Sequence, residues 1–161
     1  MKRSLMAVLK FLGVWGVAAL LTTGLAVIFQ SQNLMSRLNG LGAEIGLGDR
    51  LSMTLYDLMH FGSVYLPFIA VATLVAFLAA LLVYRLAGFG RPVVFAVAGG
   101  VAMVVMLALM KQAFFGVQLV GGARDGTGFA FQILAGVIGG LVFAGLSRPR
   151  PDPEPAPAVD T

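Results

Sequence analysis

The sequence predicts an all-α membrane protein in which four transmembrane helices form an antiparallel bundle. Of its 161 residues, 59% are hydrophobic and only 11% are charged, whereas a soluble domain has about 25% charged residues. Mean hydropathy is +0.95. The third observation is that the chain contains four long runs without any charge. Together they exclude an ordinary soluble domain, a disordered chain and a nucleic-acid-binding domain.

The four uncharged runs cover residues 11–29, 61–84, 92–110 and 126–147. Each is close to the roughly 20 residues that a helix needs to cross a bilayer. The runs are apolar on all faces, whereas the strands of a membrane barrel alternate apolar and polar residues. We therefore place the spans at about residues 8–29, 63–85, 92–110 and 127–147 of a single domain, residues 1–147.

Local signals mark the ends of these spans. Met1, Lys2 and Arg3 resemble the start of a signal peptide, but the apolar run that follows is too long for one, so we expect an uncleaved anchor. Pro92 can begin the third helix, because proline lacks an N–H that would be unpaired there. Asp125 and Thr127 are both suitable N-caps for the fourth. Pro67 should kink the second helix or mark its start.

The long connection of residues 30–60 is predicted to carry one or two short interfacial helices. Leu34, Leu38, Leu41 and Ile45 recur at helical spacing. Glycines in this stretch weaken such a helix by about 1 kcal/mol each. Leu51, Leu55, Leu58 and Gly62 would form one face of a second helix.

Charge distribution predicts that both termini are cytoplasmic. Four spans place both ends on one side of the membrane, and the side richer in Lys and Arg is usually cytoplasmic. The terminal side has Lys2, Arg3, Lys10, Arg85, Arg91, Arg148 and Arg150, against Arg37, Arg50, Lys111 and Arg124 on the other. We expect the inner membrane of a bacterium, with Tyr65 at the outer interface. The proline-rich residues 148–161 should form a disordered cytoplasmic tail.

Composition also limits the chemistry. The chain has no cysteine and one histidine, His60, so it lacks thiol chemistry and a two-histidine haem site. We expect no cofactor and no metal. The net charge of +4 fits basic residues at lipid headgroups rather than a nucleic-acid partner. The span centres carry no ionisable residue, which disfavours a proton-coupled carrier but leaves an oligomeric pore possible.

The fourth span has the clearest pattern. Gly128, Gln132, Gly136, Gly140 and Ala144 recur every four residues and so share one helix face. Small residues let helices approach closely in lipid. This face either joins two copies or other membrane proteins, or packs inside the bundle. Gln132 should hydrogen bond a neighbouring helix, with Thr22, Thr23 and Thr73 as candidate partners.

A weaker signal lies near the start of the second span. Asp57 and His60 are three residues apart, and Arg50 precedes them by two helical turns. A carboxylate that orients a histidine can make a general base, and the pair could also supply two metal ligands. The alternative is that these are interfacial polar residues paired with each other, with Arg50 or with Arg124.

The sequence thus favours a non-catalytic membrane component that serves as an accessory, assembly or scaffold protein. Its partners would be the lipid bilayer and either other membrane proteins or a second copy, bound through the fourth helix. One alternative is a small oligomeric pore or facilitator for neutral or hydrophobic solutes. A second alternative is a membrane-surface enzyme that uses Asp57 and His60.

Overall fold

The computed structural model describes residues 2–87, 90–115, 120–123 and 125–148. Within these ranges the chain forms four α-helices, one short 3-10 helix at Gly121–Ala123 and no strand. The helices are α1 (Lys2–Gly40), α2 (Leu47–Ala87), α3 (Arg91–Ala113) and α4 (Gly126–Leu146). All four are long and apolar enough to cross a membrane. The predicted disordered tail lies outside the described residues, except for Arg148.

The first two helices are much longer than the sequence analysis expected. At 39 and 41 residues, α1 and α2 measure about 58 and 62 Å, against about 35 and 32 Å for α3 and α4. The segments predicted as separate interfacial helices prolong α1 and α2, which leaves only residues 41–46 between them. Pro67 lies inside α2 and does not begin it.

The connection between α1 and α2 is closed by local hydrogen bonds. Gly42 has φ +91°, a backbone conformation that glycine adopts without steric cost. Its N–H donates to Asn39 O at 3.0 Å, and the Ala43 N–H donates to Leu38 O at 3.1 Å, which is the Schellman pattern at a helix end. The Gly46 N–H donates to Asp49 Oδ2 at 3.2 Å and caps the start of α2.

Each helix packs most extensively against two others. The helix α1 contacts α2 and α4, and α3 contacts the same two helices. Phe77, Phe95 and Phe143 are fully buried between α2, α3 and α4, with ring centroids 4.6 to 5.8 Å apart. A second apolar cluster contains Tyr65 and Ile69. Aromatic and aliphatic side chains therefore fill the centre of the described bundle.

The backbones of α3 and α4 touch at glycines. A Cβ atom added to Gly136 would lie 2.3 Å from Gly99 O, and one added to Gly140 would lie 2.0 Å from Phe95 O. Such distances are far below van der Waals contact, so only glycine fits. The neighbouring Gly139 faces α1, where a Cβ would lie 1.9 Å from Thr22 Oγ1. Glycine thus permits the close helix approach that stabilises helix pairs in lipid.

This contact can be tested with two glycine substitutions on one helix. Gly136→Ala should lower the free energy of unfolding by about 1–3 kcal/mol, because the added methyl group overpacks the contact with α3. Gly145→Ala is the control, since no atom lies within 4 Å of its added Cβ, and it should be neutral or stabilising by up to about 1 kcal/mol. The measurement is reversible unfolding in detergent micelles. Equal stability of the two variants would contradict the backbone contact.

Candidate functional site

Gln132 is the centre of a buried hydrogen-bonded group that joins three helices. Its side chain is 0% exposed. The hydroxyl of Tyr65 donates to Gln132 Oε1 at 3.1 Å, and Gln132 Nε2 donates to Ala26 O at 3.0 Å. These bonds connect α4 to α2 and to α1. An unpaired amide in hydrocarbon would cost several kcal/mol, about 2–7, so the pairing fixes how the three helices are rotated.

The partners differ from the threonines that the sequence suggested. Thr22 and Thr23 donate to carbonyl groups one turn earlier in α1, Ala18 O and Ala19 O, both at 2.8 Å. Thr73 donates to Ile69 O at 2.7 Å within α2. Tyr65 replaces them as the partner of Gln132 and is only 1% exposed, and its position at the outer membrane interface stays a prediction.

The five-residue stripe on α4 faces the interior of the same chain. All of its members are buried: Gly128, Gln132, Gly136, Gly140 and Ala144. Gly136 and Gly140 contact α3, and Gln132 contacts α1 and α2. This stripe is therefore not exposed to a second copy, and an intermolecular contact would need another surface.

Asp57, His60 and Arg50 do not come together, and their hydrogen bonds run to different partners. Asp57 Oδ2 accepts from Ser31 Oγ at 2.5 Å, and Arg50 Nη1 donates to Gln32 Oε1 at 3.4 Å. His60 is exposed, with Nδ1 at 3.1 Å from Tyr56 O and its ring stacked on Tyr56 at 4.1 Å. In the described part of the chain Asp57 does not hydrogen bond His60, so the carboxylate does not orient the imidazole.

Polar side chains instead line the contact between α1 and α2 near their connection. Ser31 pairs with Asp57, and Gln32 Nε2 donates to Thr54 Oγ1 at 3.1 Å. Ser31 is 1% exposed. Ser31 and Gln32 escaped the sequence analysis, although the run Gln30-Ser31-Gln32-Asn33 directly after an apolar span was a visible signal.

Asp125 joins the start of α4 to α1. Its carboxylate forms an ion pair with Arg37, accepts from Asn33 Nδ2 at 3.2 Å and caps α4 by accepting from the Gly128 N–H at 3.2 Å. Desolvation alone would raise the pKa of Asp125. The hydrogen bonds from Arg37, Gly128 and Asn33, together with the charge of Arg37, outweigh it and hold this pKa below its ordinary value of 3.8.

An arginine also contacts the other end of α4. Arg91 Nη2 donates to Ser147 O at 3.0 Å and to Ser147 Oγ at 2.9 Å. A cation is favoured at a helix C-terminus because the last carbonyl groups carry partial negative charge. Arginine from α1 and arginine from α3 therefore bind the two ends of α4.

Comparisons with models of known protein families, with curated proteins and with solved structures give no match. Among the residues that the structure describes, no three His, Asp or Glu side chains come close enough to hold a metal ion.

The buried amide group is testable by a double-mutant cycle. Gln132→Leu and Tyr65→Phe should each cost about 0.6–1.7 kcal/mol of unfolding free energy, the usual size of a hydrogen bond between membrane helices. The double variant should cost less than the sum, because both changes remove one shared bond. Thr23→Val is the control, since its hydroxyl bonds its own helix. Additive costs for Gln132→Leu with Tyr65→Phe would refute the shared bond.

Asp125 gives a pH-dependent prediction. A folded-state pKa below 3.8 means that the ionised carboxylate stabilises the fold at neutral pH. That stabilisation is lost as the pH falls through the lowered pKa. The unfolding temperature of the protein should therefore drop more steeply below pH 3.8 than that of Asp125→Asn, which keeps a capping side chain without the charge. Glu44→Gln, at an exposed position, is the control and should retain the steep drop in unfolding temperature. If Glu44→Gln abolished that drop, a carboxylate other than Asp125 would be responsible for it.

Proposed function

We propose that the protein is a non-catalytic integral membrane component, an accessory, assembly or scaffold protein that packs against other membrane proteins. The observation that carries this proposal is the apolar exterior of residues 31–60, which we call the α1–α2 end. This region contains the last part of α1, the connection and the first part of α2.

The length of the helices carries the part of the α1–α2 end that follows Arg37 beyond the other two spans. At about 35 and 32 Å, α3 and α4 match a hydrocarbon core of about 30 Å. The start of α4 is level with Asn33 and Arg37 of α1, because Asp125 contacts both. Past this level α1 continues to Gly40, and α2 comes back from Leu47. A bilayer that fits α3 and α4 does not cover the full length of α1 and α2.

In the α1–α2 end, polar side chains lie between the two helices and apolar side chains lie on the exterior. Ser31, Gln32, Thr54 and Asp57 pair with one another between the two helices. Large apolar residues are exposed: Leu34, Leu38, Leu41, Leu47, Leu51, Met53, Leu55, Tyr56, Leu58 and Met59. A helix pair in water normally does the reverse, since it buries leucine and exposes polar groups. An exposed apolar patch of this kind is typical of a protein–protein contact, so we assign the partner-binding surface to it.

The alternatives from the sequence gain no specific support. Buried aromatic rings occupy the centre of the bundle, so a solute path would have to run between copies rather than through one. Asp57 and His60 have separate partners, which leaves a hydrolytic role without a base and its orienting group. Packing with other membrane proteins needs neither.

The proposed topology is an antiparallel bundle in a bacterial inner membrane, with both termini in the cytoplasm. Two contacts support it. Lys10 Nζ, near the start of α1, donates to Arg148 O after the end of α4 at 3.5 Å, and Arg91 at the start of α3 binds Ser147. Three of the basic residues that the sequence assigns to the cytoplasm, Lys10, Arg91 and Arg148, thus lie at one end of the bundle, which supports a cytoplasmic location of that end under the positive-inside rule.

Site-specific photocrosslinking in native membranes tests the docking surface. The photoreactive residue p-benzoylphenylalanine replaces Leu51 or Leu55 in the α1–α2 end, or Val75 as a control. Val75 is 63% exposed on α2, the same as Leu51, but lies within the membrane span. We expect a discrete adduct with another membrane protein at positions 51 and 55 and not at 75. Adding Leu58→Gln should reduce the adduct formed from position 51.

Three results would contradict the proposal. They are the same adduct pattern at all three positions, adducts of lipid only, and an adduct of twice the chain mass, which indicates a second copy. Topology is read in parallel by Glu44→Cys in this cysteine-free chain. A membrane-impermeant maleimide should label residue 44 from outside the cytoplasmic membrane. Labelling only after that membrane is opened would indicate the opposite topology, with residue 44 in the cytoplasm.

A further inference from the structure

A crevice of about 380 Å³ lies between the end of α3 and the start of α4. Its wall includes the apolar residues Val104, Leu107 and Phe129, and among the residues that the structure describes its rim has two charged ones, Lys111 and Asp125. The crevice adjoins the α1–α2 end, because Asp125 contacts Asn33 and Arg37, but it shares no lining residue with the docking surface proposed above.

The two charged groups at the rim differ in how many ion pairs and hydrogen bonds they already form. Within the described residues, the Lys111 side chain is exposed and the ion pair of Asp125 is formed by Arg37 rather than by Lys111. Asp125 Oδ1 accepts two hydrogen bonds, from Asn33 and from Gly128, and Oδ2 accepts from Arg37. A carboxylate has about four acceptor positions, which leaves one on Oδ2. The rim therefore offers a free ammonium group and one free acceptor position.

The position of the crevice indicates what kind of molecule reaches it. Lys111 is in the last turn of α3, and Asp125 is the N-cap of α4. Both are therefore where two spans leave the hydrocarbon, at the depth of the lipid headgroups, and the apolar wall extends from there toward the lipid tails. A molecule that is charged at one end and apolar at the other fits this arrangement.

We propose that the crevice binds a phospholipid with a phosphoethanolamine headgroup. The phosphate contacts the Lys111 ammonium, the primary ammonium of the headgroup donates to Asp125 Oδ2, and an acyl chain lies along Val104 and Phe129. A zwitterionic headgroup matches one cation and one carboxylate at the rim. The ammonium N–H distinguishes it from phosphocholine, which has the same charge but no hydrogen-bond donor on nitrogen.

Lipid retention measures this binding directly. The purified full chain is equilibrated in nanodiscs of phosphatidylethanolamine, phosphatidylcholine or phosphatidylglycerol with identical acyl chains, transferred to detergent, and examined by native mass spectrometry for bound lipid. We expect about tenfold more retained phosphatidylethanolamine than phosphatidylcholine, as for one charge-assisted hydrogen bond. Lys111→Gln should lower the retention of phosphatidylethanolamine and phosphatidylcholine alike, because Lys111 contacts the phosphate that both lipids carry.

A matched variant controls for loss of any surface cation. Arg85→Gln removes an exposed charge from the end of α2 and should leave retention unchanged. Unfolding of both variants in the same detergent shows whether Lys111→Gln keeps the fold. Equal retention of phosphatidylethanolamine and phosphatidylcholine, preference for phosphatidylglycerol, release by inorganic phosphate alone, or the same effect from Arg85→Gln and Lys111→Gln would each overturn the site. None of these outcomes bears on the crosslinking from positions 51 and 55.

Discussion

Hydrocarbon offers no hydrogen-bond partner, so a polar side chain within a membrane span has to be satisfied inside the protein. This constraint decides how the helices of this chain are rotated. Gln132 can be paired only where α4 turns it toward Tyr65 on α2 and the Ala26 carbonyl group on α1. The indole of Trp15 obeys the same rule, since its Nε1 donates to Thr73 Oγ1 at 3.3 Å. Once these few groups are paired, the apolar residues have little freedom in which face they present to lipid.

Glycine contacts complete what the polar contacts begin. Hydrophobic burial does not drive two helices together in lipid, because the tails are as apolar as the side chains, so close packing has to hold them. The contact of Gly136 and Gly140 with α3 supplies this packing, and Gly139 does the same toward α1. A helix with glycine on two faces can therefore touch two neighbours at backbone distance. This explains why α4 is as enclosed as α3, and more enclosed than α1 and α2, although it carries the pattern that usually suggests a dimer.

Hydropathy made the four helices predictable, and charge and side-chain chemistry made the cap at Asp125 predictable, because both signals are local. The length of α1 and α2 was not predictable from the sequence. The glycines in residues 40–48 indicate an interruption of the helices. The side-chain pairs that stabilise the long helices, Ser31 with Asp57 and Gln32 with Thr54, join residues more than 20 positions apart. The partner of Gln132 was missed for the same reason, because tyrosine more often lies at the interface than in the core. Asp57 and His60 share a helix but not a partner, and no spacing rule reports which neighbour each side chain faces. Gly99 was overlooked because the two glycines of α3, Gly99 and Gly100, are adjacent and do not recur at helical spacing.

The use of polar groups inside the bundle limits where function can be. The interior is filled, and most of the polar side chains between the helices are already hydrogen bonded, so a substrate entering the bundle would have to displace a contact that holds two helices together. Arg37 and Arg91 bind the two ends of α4, which makes large internal rearrangements costly. Among the described residues, two buried side-chain atoms have no hydrogen-bond partner, Gln30 Oε1 and Arg91 Nε. The other groups without a partner are on the outside: the leucines of the α1–α2 end and the ammonium of Lys111. Under the two proposals above, the protein acts through these outer surfaces: the apolar α1–α2 end binds a protein partner, and the charged rim of the crevice binds a lipid.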